Sequence, residues 1–272
     1  MFGSLRAHYL IFTFFLCLFA QPVWSTTALG LENECEHETS CQLDGRSYQV
    51  KTPSHWDGKS PLPVLMHFHG WGRTGRNVLN NPRITRATDN HGFLLVAPDG
   101  LGKSWDFWGK TSRDTPFAQA ILKDLKAKWP IDENKVYLSG FSYGSAMAWR
   151  LACESGQEFA GLLAIAGTLW QQEAIECQGG PIKVTHVHGL KDNVMSLPRG
   201  NDDNPLKGIE LWRRTNECQL EPDAVEKINI FTCHHWTGCN SGKETSICLH
   251  NYGHMIPKGW LDIAFSQIIE KE

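Results

Sequence analysis

Six short apolar runs punctuate the chain: Ser47–Lys51, Val64–Phe68, Leu94–Ala97, Val136–Leu138, Gly161–Ile165 and Lys183–His188. Most are unbroken rather than alternating, the pattern of strands buried on both faces of a mainly parallel sheet. Between them, Arg83–His91, Asp114–Lys128, Tyr143–Glu154 and Leu206–Asn216 repeat their apolar positions at helical spacing. Strand and helix therefore alternate, which predicts an α/β fold with right-handed connections. The tail departs from this rhythm. Ala224–Cys233 and Glu244–His250 flank a Gly-containing turn and are expected to pair as a hairpin, with helix from about Met255 onward. No repeat or low-complexity linker interrupts the chain, so a single domain is expected.

Composition narrows the class. The 272 residues are 41% apolar and 20% charged, with net charge −3. That balance excludes a disordered chain and a polybasic nucleic-acid binder, and no nucleic-acid partner is expected. At the amino terminus, Arg6 and His8 precede the apolar run Tyr9–Ala20, followed by Gln-Pro and small residues. The run is shorter than the roughly 20 residues a membrane-spanning helix needs, so residues 1–25 read as a signal peptide; a cut after Ser25 or after Ala20 would leave a small residue at the site, and Ser25 is the preferred position. The mature protein, residues 26–272, is then secreted or periplasmic, with no membrane association. Cys17 leaves with the peptide, and eight cysteines remain: Cys35, Cys41, Cys153, Cys177, Cys218, Cys233, Cys239 and Cys248. An even number in an exported chain predicts four disulfides. The Cys/His-rich stretch from Cys233 to His250 lacks the CxxC spacing of a zinc knuckle, so no metal is expected.

The main chemical signal is Gly140-Phe141-Ser142-Tyr143-Gly144, directly after the run Val136–Leu138 and before a helical segment. G-x-S-x-G in that context is a nucleophile elbow, in which a strained turn presents the serine and the glycines let strand and helix pass closely. A serine hydroxyl needs a base and an orienting acid. Asp192 follows the run Lys183–His188, and His254 lies between the last strand-like segment and the final helix. These complete a candidate Ser142, Asp192, His254 triad. The rival acids are Asp202 and Asp203, and the rival base is His250. Two backbone amides must hold the oxyanion: that of Tyr143, after the nucleophile, and that of Trp71, in the His69-Gly70-Trp71-Gly72 loop after Val64–Phe68. The chemistry needs no cofactor.

These motifs resemble the secreted esterases grouped with polyhydroxybutyrate depolymerases and feruloyl esterases. The matching segments are Gly45–Tyr48, His67–Gly72, Ala97–Trp105, Ser139–Met147, His186–Asp192 and Asn251–Trp260, spread over nearly the whole mature chain. The resemblance implies an α/β-hydrolase fold, a mainly parallel central sheet flanked by helices, with Ser142 as nucleophile, Asp192 as acid and His254 as base. Two segments depart from the family pattern. The glycine run before the histidine is reduced to Tyr252-Gly253-His254, and HG-Cys gives way to HG-Trp.

His69, Trp71, Trp105 and Trp108 are candidate substrate-binding residues, because they fall on loops at the carboxyl edge of the sheet, where ligands of open α/β folds bind. The same rings could equally be loop anchors. The pairs His67/His69 and His186/His188 read as core histidines bonded to backbone rather than metal ligands. Among the cysteines, Cys35 and Cys41 can close a small loop. Cys153 and Cys177 lie on successive elements, and Cys233 opposes Cys248 if the hairpin centres near Asn240. Cys218 then remains for Cys239, the pairing the resemblance also implies. The expected function is an exported serine esterase acting on a small-molecule or polymeric ester. The competing readings are a serine peptidase of the same fold, which lacks the preceding propeller or cap expected of it here, and a non-catalytic exported binding module.

Overall fold

The computed structural model describes Met1, Gly3 and residues 40–170, 177–195 and 207–269. The expected signal peptide beyond Met1 and Gly3, Cys35, and the rival acids Asp202 and Asp203 lie outside the described residues. The chain divides into two compact units, Met1–Glu32 and Asn33–Glu272, and every element below belongs to the second.

Among the described residues, ten strands form one sheet in the order β1-β2-β4-β3-β5-β6-β7-β10-β9-β8. They are β1 (Cys41–Leu43), β2 (Arg46–Lys51), β3 (Leu62–Phe68), β4 (Leu94–Pro98), β5 (Ile131–Phe141), β6 (Gly161–Ile165), β7 (Lys183–Gly189), β8 (Ala224–Ile228), β9 (Phe231–Trp236) and β10 (Thr245–His250). The centre, from β4 through β3, β5, β6 and β7 to β10, is parallel. The antiparallel pairs lie at the two ends. The helices are α1 (Gly75–Leu79), α2 (Pro82–Asn90), α3 (Asp114–Lys128), α4 (Tyr143–Ser155), α5 (Lys207–Thr215) and α6 (Trp260–Ile269).

Both faces of the sheet are covered, which is why the strand signals are unbroken. Along β3, Val64, Met66 and Phe68 join one core with Leu122 of α3, Trp149 of α4 and Trp212 of α5. Leu65, between them, faces the other core with Val78 of α1, Ile84 of α2 and Phe265 of α6. The α/β-hydrolase architecture follows: a mainly parallel sheet between two helical layers. After β3 the chain crosses to β4 on one side, then returns to β5 on the other. That reversal opens a crevice between the loops that follow β3 and β5, where ligands of such sheets bind.

Several elements differ from expectation; β5, for one, runs over Ile131–Phe141 where only Val136–Leu138 is expected. Ala224–Cys233 is two strands, because Asn229 adopts a left-handed φ of 54° and turns β8 back onto β9. The expected pairing with the last strand belongs to β9, with Cys233 opposite Cys248. α6 starts at Trp260 rather than near Met255, since Ile256 precedes Pro257, which disfavours helical backbone, and Gly259 is left-handed. α1 is too short to show a period and had no sequence signal. Cys153–Cys177, Cys218–Cys239 and Cys233–Cys248 are disulfides, as expected. Cys41 is also disulfide-bonded. β8 is exposed along most of its length and, among the described residues, has a strand neighbour on one side only.

Candidate active site

Ser142 sits between β5 and α4 with φ 57° and ψ −121°, a region that costs a non-glycine residue strain. The flanking glycines explain how the turn closes. A Cβ on Gly140 would lie 2.3 Å from the carbonyl oxygen of Gly144, and one on Gly144 would lie 2.0 Å from that of Phe68. The turn is held by Ser142 N–H donating to the Ile165 carbonyl at 3.0 Å and by the Ala146 amide donating to the Ser142 carbonyl at 3.0 Å.

Asp192 lies on the loop after β7. Its Oδ1 accepts from the amides of Val194 and Met195 at 2.9 and 2.8 Å. Its Oδ2 is 2.7 Å from Nδ1 of His254 and 3.4 Å from Nε2 of His188. Burial alone would raise this carboxyl, but the hydrogen bonds from His188, His254 and the Met195 amide outweigh it and hold Asp192 well below the usual carboxylate range. The loops bearing acid and histidine are stitched together: Leu190 N–H donates to the His250 carbonyl and Lys191 N–H to that of Tyr252. Gly189 permits the crossing, because a Cβ there would lie 2.3 Å from the Tyr252 oxygen. Nδ1–H donation to Asp192 leaves Nε2 of His254 as the acceptor nitrogen.

Ser142, Tyr143, Trp71 and His254 all line one cleft of about 750 Å³. Among the described residues, the amides of Trp71 and Tyr143 make none of the backbone hydrogen bonds that close the neighbouring turns. The rival base His250 instead accepts from the Tyr252 amide at 3.2 Å.

The fold is shared with solved hydrolases, and the likeness extends to sequence. A family model described as Phospholipase/Carboxylesterase matches residues 110–206. A probable feruloyl esterase C of Aspergillus niger is 26% identical over 226 residues, spanning 78% of this chain and 77% of the relative. Feruloyl esterase C of Emericella nidulans is 30% identical over 166 residues, 58% of this chain and 59% of that one. The acetyl xylan esterase structure from Aspergillus awamori superposes with a TM-score of 0.64 at 14% identity, covering 80% of this chain and 94% of its own. The chain is a carboxylic ester hydrolase of the α/β-hydrolase type.

The esterase treats its four candidate substrate-binding residues differently. Trp71 is 70% exposed at the cleft. Trp108 is 50% exposed but lies beside the cleft, its ring 5.5 Å from that of Tyr143 and 5.1 Å from Trp170. Trp105 corrects the expectation: it is buried, and its ring N–H donates to the His69 carbonyl at 2.7 Å. Phe107 is buried as well. His69 reaches the cleft wall but spends both ring nitrogens on backbone. Nε2 accepts from the Gly100 amide at 3.0 Å, which leaves Nδ1–H to donate to the Gly70 carbonyl at 2.9 Å. Trp105 and His69 thus fasten the Trp71 loop to the loop after β4.

The other core histidines bond partly to one another rather than to backbone alone. His67 Nδ1 pairs with the Ser139 hydroxyl at 3.0 Å, and His186 Nε2 with His188 Nδ1 at 3.0 Å. Among the described residues, no group of three or more His, Cys, Asp or Glu side chains could hold a metal ion.

The esterase also has cleft residues that its motifs do not announce. Arg73, Asn77, Asn81 and Arg83 line the wall made by α1 and α2, and Arg83 also donates to the Ile256 carbonyl at 2.7 Å. They follow the HG-x-G motif, but Arg73, Asn77 and Asn81 lie in and around a short helix that carries no periodic signal, and Arg83 reads only as the start of the helix expected over Arg83–His91. Arg150 of α4 is fully buried, donating to the carbonyls of Gly109 and Lys110 at 2.6 and 3.1 Å and pairing with Glu154 at 2.6 Å.

Proposed function

We propose that this esterase is exported and works through an acyl-enzyme on Ser142. The observation that carries the reading is the 2.7 Å contact between Nδ1 of His254 and the buried carboxylate of Asp192, with His254 lining the same cleft as Ser142. His254 Nε2 takes the serine proton as Oγ attacks the ester carbonyl, then returns it to the departing alcohol. Water, activated by the same nitrogen, releases the acid and restores the serine. The amides of Trp71 and Tyr143 receive the developing oxyanion. The helix that begins at Tyr143 adds a favourable dipole there.

The substrate we assign is an ester of an aromatic acid, small or attached to a polymer. The exposed rings of Trp71 and Trp108 beside Tyr143 support a flat acyl group, as do the names of the feruloyl esterase relatives. Export is supported by the disulfides and by the leader-like residues 1–25. Assays with methyl ferulate and p-nitrophenyl acyl esters test the assignment. Ser142→Ala and His254→Ala each lower kcat by about 10³-fold or more, with a smaller loss for Asp192→Asn. A fluorophosphonate labels the wild type and not Ser142→Ala. Near-normal turnover in Asp192→Asn would overturn the acid assignment, and unlabelled wild type would overturn the nucleophile.

A further inference from the structure

A second cavity, of about 640 Å³, opens beyond α1. Its wall comprises Lys51 at the end of β2, Trp56 in the following loop, Arg76 of α1, Asn80 just after α1, and Arg86 and Asp89 of α2. Asn80 lines the catalytic cleft too, so the two cavities adjoin across one short helix. Two exposed cations, Lys51 and Arg86, line this cavity beside one carboxylate, while Arg76 has a contact of its own and the charge of Lys51 also acts on Asp89. That carboxylate is already engaged. Asp89 accepts from the amide and the hydroxyl of Ser54 at 2.5 and 3.0 Å, and the amide bond chiefly holds its pKa below the usual range. Lys51 and Arg86 are exposed. Trp56 is half-buried and fixed: its ring N–H donates to the Ser60 carbonyl at 2.8 Å, and its ring centroid is 6.0 Å from that of Trp129.

We propose that this cavity is an accessory binding site for an acidic oligosaccharide, a run of uronate sugars. Guanidinium and ammonium groups recognise carboxylates, and a held aromatic face recognises the apolar face of a sugar ring. A cavity of this size has room for a ligand of several rings, more than a single small anion would fill. The Asn80 amide, also on the wall, can donate to and accept from sugar hydroxyls, and the Thr85 hydroxyl, which donates to the Asn81 carbonyl at 3.2 Å, can accept from one. A chain seated here would approach the catalytic cleft by way of Asn80. The site stands apart from Ser142 and does not depend on its role.

Calorimetric titration of the full-length Ser142→Ala protein separates this proposal from the nucleophile assignment, because binding is read without turnover. The probes are hexagalacturonate, cellohexaose, hexaglutamate and inorganic phosphate. Hexagalacturonate is expected to bind about tenfold more tightly than any other probe. Its affinity is expected to fall as sodium chloride rises from about 50 mM to about 500 mM. The double substitution Lys51→Gln/Arg86→Gln, at exposed positions, removes that advantage. Equal binding of cellohexaose would overturn the need for charge, and equal binding of hexaglutamate would overturn the need for a sugar. Phosphate binding as tight as hexagalacturonate would reduce the cavity to a simple anion site. Undiminished affinity in the double variant would place the ligand elsewhere.

Discussion

His67 and His186 are fully enclosed between the helical layers, and burial pushes both below the ordinary imidazole range, His67 to about 3 with its neighbour His69 adding to the shift. In the unfolded chain such a histidine protonates below about pH 6.5, whereas in the folded protein it stays neutral. Stability is therefore full above pH 6.5 and is lost as pH falls toward 3, by on the order of 5 kcal/mol for His67 over the whole window. Thermal melts of the wild type between pH 7.5 and 4.5 are expected to show a falling Tm, with a shallower slope in His67→Gln. An identical slope would remove His67 from the account. The two tryptophans of the loop after β4 separate in the same residue-level way. Trp108→Ala is expected to raise KM for methyl ferulate about five- to thirtyfold, the equivalent of about 1–2 kcal/mol, with little change for p-nitrophenyl acetate. Trp105→Ala is expected to lower Tm, because it empties a buried site and frees the His69 carbonyl. Equal KM effects of Trp108→Ala on both esters would make that ring a surface anchor.

Elements tie these residues together, and they show why some of the site is legible in sequence and some is not. The elbow reads clearly because both of its glycines answer a contact that any Cβ would break, and because β5 and α4 carry strong patterns on either side. The proposed acid and base, Asp192 and His254, are picked out by their order after β7 and β10, and the structure places the two side chains in contact. The Asp99 segment that matches the esterase family proves to be scaffolding: its carboxylate accepts from the Gly75 amide at 2.7 Å and the Ser47 hydroxyl at 2.8 Å. Arg150 is illegible, since a cation within an apolar helix pattern looks like a surface position until the loop it anchors is seen. It fastens Gly109 and Lys110, immediately after Trp108, to the helix that follows Ser142. Arg150→Leu leaves those carbonyls without their donor and Glu154 without this partner. We expect a loss of about 3–5 kcal/mol. We also expect proteolytic nicking near Gly109 under native conditions. Resistance to nicking at wild-type stability would show that the loop is held by other contacts.

For the molecule as a whole, the long parallel centre accounts for the ease with which the α/β class reads from unbroken apolar runs. The antiparallel additions at its ends read less well, since β8 and β9 look like one segment until Asn229 turns the chain. β8 ends the sheet with Ala224, Val225, Glu226, Lys227 and Ile228, and its outer hydrogen-bonding edge has no strand partner among the described residues. An open edge of this kind is a template on which another chain can add, and adjacent opposite charges at Glu226 and Lys227 discourage that addition. Colloidal behaviour should therefore hang on two residues remote from the catalytic cleft. Glu226→Val/Lys227→Val gives the edge an uninterrupted β-prone run, and light scattering on mild heating is expected to rise well before Tm, while fresh protein keeps its kcat. Scattering that begins only at Tm would mean that unfolding, and not the open edge, limits how concentrated a solution of this esterase can be.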